Sequence, residues 1–567
     1  MERHINKVGK FLQEEYRSNL GIYLGTGVSC QDLGRPVIGI ANAFNEMVPG
    51  HLNLRELAQQ VKYGVYRAGG TPLEFGVLSC CDGIATGHCG GNYILPSRDN
   101  IADSIEIEAI AHQLDGLVLL SSCDKTVPAM LMAAARLNIP CIFLGGGCMV
   151  SGPPFQDIVR ADASFVTEAV GSFQLGKISK RELDQLTVTC TPSAGSGQFL
   201  GTANTMCCLG ESIGLSLPGA AAIPAPFHER RRMAVRTGEA IVGLVENGIT
   251  ARMILSPEAF QNAIMVLMAL GGSTNAVIHL CAIGIEAGIP SSTMLAWFET
   301  YSKQIPQLVS ICPASNETDM EQFYYAGGIP QLMHQLEERL FLNCSTVTGK
   351  TVGENLQHWS NLYGHCEEII RPLKNPVTQL GSISIMRGNL APNTGVSKAA
   401  GIAECAREFR GTAICFDCEE ACMTALDRGE ICPGHVIVIR YEGPKGGPGM
   451  REMFKVTKML HGLGMATQTA VITDGRFSGT NSGCFVGHIS PEAAEGGPIA
   501  LVQNGDEIYI NVEKGILSLL VSEDELKKRR SHWKWKPKKL EGYLARYARM
   551  ARSADQGASL CNTEEGE

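Results

Sequence analysis

The amino-acid sequence predicts an α/β N-terminal domain with a parallel-type sheet, followed by a β-rich, barrel-like C-terminal domain. Through the first two thirds of the 567 residues, short β-branched runs alternate with longer helical patterns, as in layered α/β folds. After about residue 375 short strands dominate, punctuated by glycine and proline, which suits a barrel. Between the two lies Arg371-Pro372-Leu373-Lys374-Asn375-Pro376, a linker by composition, because two prolines oppose both a helix and a central strand. The length itself asks for more than one core, since domains run to about 100–200 residues. The expected division is 1–375 and 376–567.

The α/β strands are read at Pro36-Val37-Ile38-Gly39-Ile40, Phe75-Gly76-Val77-Leu78, Leu117-Val118-Leu119-Leu120 and Pro140-Cys141-Ile142-Phe143-Leu144. Helices are expected near 101–114 and 128–138, the second with Pro128 in its first turn. In the second domain, strands are expected at 382–386, 412–416, 435–441, 469–473, 507–512 and 516–521.

Composition excludes several classes. Hydrophobic residues make up 44% and charged residues 19%, close to the globular average. A net charge of -9 offers no basic field for a phosphate backbone, so no nucleic-acid partner is expected. The charged N-terminus has no apolar signal core, and no run reaches the roughly 18 apolar residues of a membrane span. These features point to a soluble cytoplasmic protein. The 21 cysteines are scattered and include adjacent pairs such as Cys80-Cys81 and Cys207-Cys208. That is not a disulfide framework. Most are expected to be small buried hydrophobes.

Ligands in open α/β sheets bind beyond the carboxyl ends of the strands. Here those positions are polar: Cys80-Cys81-Asp82-Gly83, Ser122-Cys123-Asp124-Lys125-Thr126, Glu442-Gly443-Pro444-Lys445 and Asp474-Gly475-Arg476-Phe477-Ser478. Three carboxylates, Asp82, Asp124 and Glu442, suit a hard oxygen-loving cation such as Mg²⁺. Each also has a plainer reading. Asp82 and Asp124 could cap the helices that follow, and Glu442 could pair with Lys445.

These segments resemble the dihydroxy-acid dehydratase and phosphogluconate dehydratase family. The resemblance runs through Cys123-Asp124-Lys125-Thr126-Val127-Pro128, Gly201-Thr202-Ala203-Asn204-Thr205-Met206, Gly271-Gly272-Ser273-Thr274-Asn275, Gly388-Asn389-Leu390-Ala391-Pro392, Arg440 to Met450 and Asp474 to Gly479. Two further stretches resemble the dihydroxy-acid branch, which serves branched-chain amino-acid synthesis. They are Thr346 to Thr351 and the C-terminal run from Trp535 to Ala558.

The resemblance implies a hydro-lyase that converts a 2,3-dihydroxy carboxylic acid of the 2,3-dihydroxyisovalerate type into a 2-oxo acid. A sugar acid or specialised-metabolite polyhydroxy acid is an alternative substrate, and a catalytically silent paralogue a further alternative. It implies Mg²⁺ on Asp82, Asp124, Glu442 and a carbamylated Lys125; a plain Lys125 salt-bridged to a neighbouring carboxylate is the alternative. It also implies Ser478 as general base, a small carboxylic-acid substrate and a homodimer with its site between the two domains.

It implies an iron–sulfur cluster as well, [2Fe-2S] or [4Fe-4S], and here the chain departs from the pattern. Of three expected cysteine positions only Cys123 is filled; the others fall at Gly50 and Gly197. Either the ligand set is rearranged, with Cys190 or Cys80, Cys81 and Cys89 contributing thiolates, or the cluster is absent.

Overall fold

The computed structural model describes residues 7–477 and 483–560, apart from residues 157, 175, 316 and 365 and the side chain of residue 400. Strands β1 (Val37–Asn42), β2 (Thr71–Gly76), β3 (Gly116–Ser121) and β4 (Cys141–Gly145) form one sheet in the order β2-β1-β3-β4. Every pairing is parallel. β1, β3 and β4 are buried along their whole length, as expected of a sheet covered on both faces. The helices Leu54–Arg67, Gly91–Ala111 and Thr126–Leu137 make the crossovers. Leu54, Leu57, Ala58, Val61 and Val65 form one buried stripe on the first of these. That stripe is met by the helix His228–Asn247, with glycine at the crossing on both sides. A Cβ on Gly64 would sit 2.0 Å from the Val235 carbonyl oxygen, and one on Gly238 would sit 2.2 Å from that of Val61.

The sheet is shorter than the sequence texture suggests. After Gly145 the described residues of this domain run through helices, from Ala163–Gln174 to Val352–Gln357, where apolar runs such as Ala263 to Leu270 are buried helix rather than strand. The expected strand at 75–78 is displaced: β2 is Thr71–Gly76, set by the register Val37↔Thr71. As an edge strand it tolerates Pro72. The helix expected near 101–114 begins at Gly91, because Pro96 lies inside it rather than before it.

The second domain is a closed eight-stranded barrel. It comprises β5 (Ser384–Gly388), β6 (Ala391–Ser397), β7 (Glu408–Phe416), β8 (His435–Ile439), β9 (Ala470–Thr473), β10 (Cys484–Ser490), β11 (Glu507–Asn511) and β12 (Ile516–Leu519). Around the barrel the order is β10-β6-β5-β12-β11-β7-β8-β9. Two strands, β6 and β10, escape the sequence pattern. Pro392 and Gly395 interrupt the first, and a register shift between Gly487 and Ser490 breaks the alternation of the second. β7, β8, β9 and β10 run parallel to one another, so the segments after β7, β8 and β9 emerge at one end. The chain from the linker to Ser382 stays bonded to the helical domain, through Arg371 N–H to the Leu308 carbonyl and Ser382 N–H to the Met268 carbonyl.

Candidate active site

A narrow cleft of about 30 Å³ opens where the two domains meet. Asp82, Thr86, His88 and Ile94 line it from the α/β side, and Glu419, Arg451, Glu452 and Arg476 from the barrel side. Asp82 is the first residue of the short helix Asp82–Ala85, and neither it nor Asp124 caps a helix with its side chain. Burial raises the Asp82 pKa, with Lys125 opposing and Glu452 reinforcing the shift. Asp82, Lys125, Glu452 and Arg476 are thus electrostatic neighbours across the domain boundary.

Asp124 and Lys125 are almost fully buried at the carboxyl end of β3. The Lys125 ammonium nitrogen lies against Asp124 Oδ2, yet neither atom has a hydrogen-bond partner. Burial, together with the Arg476 charge, brings the Lys125 pKa down to about 7. Orphaned buried polar atoms are costly, and here an acceptor and a nitrogen stand together.

Glu442 does not face this group. Its carboxylate is held by Arg451, with Nη2 to Oε1 at 2.6 Å and Nε to Oε2 at 3.0 Å. Lys445, the partner proposed for it from sequence spacing, pairs with Glu495 instead. The acid that does face Lys125 is Glu452, ten residues on, which sequence reasoning missed. Glu452 Oε1 accepts from Asn275 Nδ2 at 2.8 Å and Arg476 Nη1 at 3.0 Å. Asn275 also donates to the Thr202 hydroxyl at 2.9 Å, which meets Ser273 at 2.8 Å. The Gly-Thr-Ala-Asn and Gly-Gly-Ser-Thr-Asn segments therefore converge to position Glu452. The signal was in the sequence: Glu452 ends the same glycine-rich run that begins at Glu442.

Two other buried acids shape that run. Asp474 accepts the amides of Glu442 (2.9 Å), Tyr441 (3.1 Å) and Ala493 (2.9 Å). Glu492 accepts those of Lys445 (2.8 Å) and Gly446 (2.9 Å). Gly443 must be glycine, since a Cβ there would lie 2.4 Å from Glu492 Oε2. Burial raises Asp474 to about 6 and Glu492 to about 8. His279 and His488 complete the interior. Both are buried, with His279 Nε2 and both ring nitrogens of His488 lacking hydrogen-bond partners. Desolvation lowers both pKa values, and Lys125 and Arg476 push the same way. Both imidazoles are therefore neutral. Ser478 lies outside the described residues.

Among the described residues no three His, Cys, Asp or Glu side chains group closely enough to hold a metal by themselves. Mg²⁺ does not require that, because it usually takes one or two carboxylates and completes its shell with water and substrate oxygens. Asp82, Glu452 and the orphaned Asp124–Lys125 pair fit such an ion.

Two of the three positions expected to carry cluster cysteines meet, and the loop that carries the third passes beside them. A Cβ on Gly50 would lie 2.9 Å from the Cys123 sulfur, 3.5 Å from the Gly195 carbonyl oxygen and 3.6 Å from the Ser196 nitrogen. His51, the next residue, fixes the turn: its Nε2 accepts the amides of Ser122 and Cys123, each at 3.1 Å. Asn204 holds the third loop by donating to the Phe199 carbonyl at 2.8 Å and accepting from the Ser196 hydroxyl at 2.7 Å. Cys190 does not substitute. It closes the helix Lys180–Thr189, packs with Ala161, Ala169, Ile178 and Leu186, and points its thiol at the Thr187 carbonyl. Cys89 is exposed.

An α/β layer whose strand ends meet the mouth of a closed barrel, with a buried Asp-Lys pair and acids from both sides, defines a two-domain enzyme built for a divalent cation and a small anionic substrate. Comparison with known proteins makes the class specific. Residues 35–355 match the Dihydroxy-acid/6-phosphogluconate dehydratase N-terminal family and residues 368–558 the corresponding C-terminal family. The chain belongs to the dihydroxy-acid/6-phosphogluconate dehydratase family. It is 47% identical to the dihydroxy-acid dehydratase of Thermodesulfovibrio yellowstonii over 540 residues, covering 95% of this chain and 97% of that protein. Against the dihydroxy-acid dehydratase of Pyrococcus furiosus the identity is 48%, covering 95% and 97%. Against that of Ignicoccus hospitalis it is 46%, covering 97% and 99%. The family generally uses Mg²⁺ and an iron–sulfur cluster.

Proposed function

We propose that this chain is a hydro-lyase that removes water from a 2,3-dihydroxy carboxylic acid of the 2,3-dihydroxyisovalerate type to give a 2-oxo acid. One observation carries the reading: a buried Asp124–Lys125 ion pair, with no further hydrogen-bond partner for either atom, among Asp82 and Glu452 where the two domains meet. The shared name of the relatives supports the dihydroxy-acid substrate over a sugar acid.

Asp82, Asp124, Lys125 and Glu452 would hold Mg²⁺, Glu452 replacing Glu442 in the set expected from sequence. When bound, the ion supplies Lewis acidity that makes the C2 proton of a chelated 2-hydroxy acid easier to remove. Lys125 joins as a carbamate: its neutral amine adds to CO₂ and releases one proton, which turns a cation into an anionic oxygen donor. A pKa brought down to about 7 makes that amine available. Ser478, in the family motif, is the base: as its alkoxide, its own proton having gone to solvent, it takes the C2 proton. It passes that proton to the 3-hydroxyl, which departs as water and restores the alkoxide, and the enol ketonises. Arg476, neutralised by Glu452, and the neutral His279 and His488 are left to bind substrate oxygens. No step is assigned to an iron–sulfur cluster, because the cysteine set does not fit one.

The units read as 1–375 and 376–567 each supply part of this cleft. Among the described residues no helix is long and apolar enough to cross a membrane, in keeping with a cytoplasmic enzyme. A homodimer rests on the family resemblance alone. The test of the activity is 2-oxo acid release from 2,3-dihydroxyisovalerate by wild type and Asp124→Asn, with Mg²⁺ and with EDTA. Mg²⁺-dependent release confined to wild type is expected. No release from any 2,3-dihydroxy acid under any metal condition overturns the reading.

A further inference from the structure

We infer that this chain assembles no three-thiolate iron–sulfur cluster at Cys123, because the two positions expected to supply the other thiolates carry glycine, one of them directly against the Cys123 sulfur. That contact makes the inference firm. Had position 50 been far from Cys123, a different ligand geometry could have been accommodated; instead its Cβ would fall 2.9 Å from the Cys123 sulfur, beside Gly195 and Ser196. The compartment is the right one, and only one thiol lines it from these positions.

Among the described residues, the thiols that come near Cys123 stand outside the two expected loop positions. At the third position, a Cβ on Gly197 would meet the Phe199 ring at 2.7 Å, so an aromatic ring occupies the space where a side chain at 197 would start. Cys190 is committed to its own small apolar cluster. Cys81 and Cys207 are within electrostatic reach of Cys123, but they come from segments other than the two expected loops. Cys81 rests on the amides of Gly83 and Ile84. Cys207 is on the helix Thr202–Ser212, against Gly145, where a Cβ would lie 3.1 Å from its sulfur. A cluster is held by several cysteine thiolates, whereas Mg²⁺ takes one or two carboxylates and completes its shell with water.

The inference does not depend on the substrate. Wild type, Cys123→Ser and the triple variant Gly50→Cys/Gly197→Cys/Phe199→Ala are purified anaerobically and reconstituted with ferrous iron and sulfide. Bound iron, acid-labile sulfide and visible absorbance are then measured. Wild type is expected to match Cys123→Ser, with no more than trace iron and no cluster absorbance. The triple variant is expected to gain about two to four irons per chain with matching sulfide, the content of the common cluster types. Wild type that takes up iron and sulfide in that ratio, and loses both in Cys123→Ser, overturns the inference. If circular dichroism shows the triple variant unfolded, the wild-type and Cys123→Ser pair decides alone. Oxo-acid release by the same wild-type sample is a separate readout: activity without iron keeps both proposals, and neither iron nor activity removes only the functional one.

Discussion

Replacing Glu452 and Glu442 one at a time, each by glutamine, separates a metal-facing acid from a structural one ten residues away. At an effective dielectric near 20 and 4 Å, one unit charge acting on another is worth about 4 kcal/mol. A divalent ion doubles that, and the opening of the cleft to solvent cuts it back. A loss of about 3 kcal/mol on neutralising Glu452 is a conservative figure, which is roughly 100-fold in cation affinity at 1.4 kcal/mol per tenfold. The amide can still accept from Asn275 and Arg476, but the buried Arg476 loses its ion pair, so some stability is lost along with the affinity. Glu442→Gln should cost stability alone. Arg451 would lose two charge-assisted bonds at 2.6 and 3.0 Å but keep its fork on Glu420 at 2.7 and 3.0 Å. Breaking a buried pair costs about 3–5 kcal/mol, and the surviving fork places the loss near the low end. Electron paramagnetic resonance of free Mn²⁺ measures binding in place of Mg²⁺, and urea unfolding measures stability. The reasoning is refuted if Glu452→Gln binds Mn²⁺ like wild type while Glu442→Gln has lost the site without losing stability.

Three further outcomes follow from the same geometry. Asn275→Ala removes the group that joins Thr202 to Glu452 and should weaken Mn²⁺ binding about 10–100-fold, as loss of a ligand-orienting partner does; unchanged affinity in the same titration would show that Glu452 is held without it. Glu492, with a folded pKa of about 8 against 4.5, favours the native state in its protonated form, so that contribution is complete below about pH 4.5 and disappears as pH rises through 8. Glu492→Gln should therefore flatten the stability profile between those limits, and urea midpoints across that range that run parallel to wild type would contradict it. Leu119→Ala in β3, fully buried on the strand that leads to Asp124 and Lys125, should cost about 2–5 kcal/mol, read from the same unfolding curves; a loss under 1 kcal/mol would mean that the sheet core is looser than described.

The sequence made the architecture legible wherever burial was complete. β1, β3 and β4 are apolar over their whole length and announce themselves. β2 did not, because an edge strand carrying Pro72 and Glu74 has neither a clean apolar run nor alternation. β6 and β10 were hidden by glycine, proline and a register shift for the same reason. At the site, Asp82 and Asp124 were candidates because strand ends in α/β sheets are where ligands bind, and the resemblance added Lys125; the fold makes Asp82 and Lys125 electrostatic neighbours. Glu452 was missed because that rule favours the first acid after β8, and only the fold shows that Arg451 turns Glu442 away. The helpers that fix the geometry, His51, Asn275, Asp474 and Glu492, bond across long sequence separations that no local pattern records.

The most direct measurement is 2-oxo acid formation from 2,3-dihydroxyisovalerate as a function of Mg²⁺, for wild type and for Asp124→Asn at matched folded concentration. The account predicts saturable Mg²⁺-dependent turnover in wild type and none above background in Asp124→Asn. Turnover that is indifferent to EDTA, or that survives in Asp124→Asn, would contradict it.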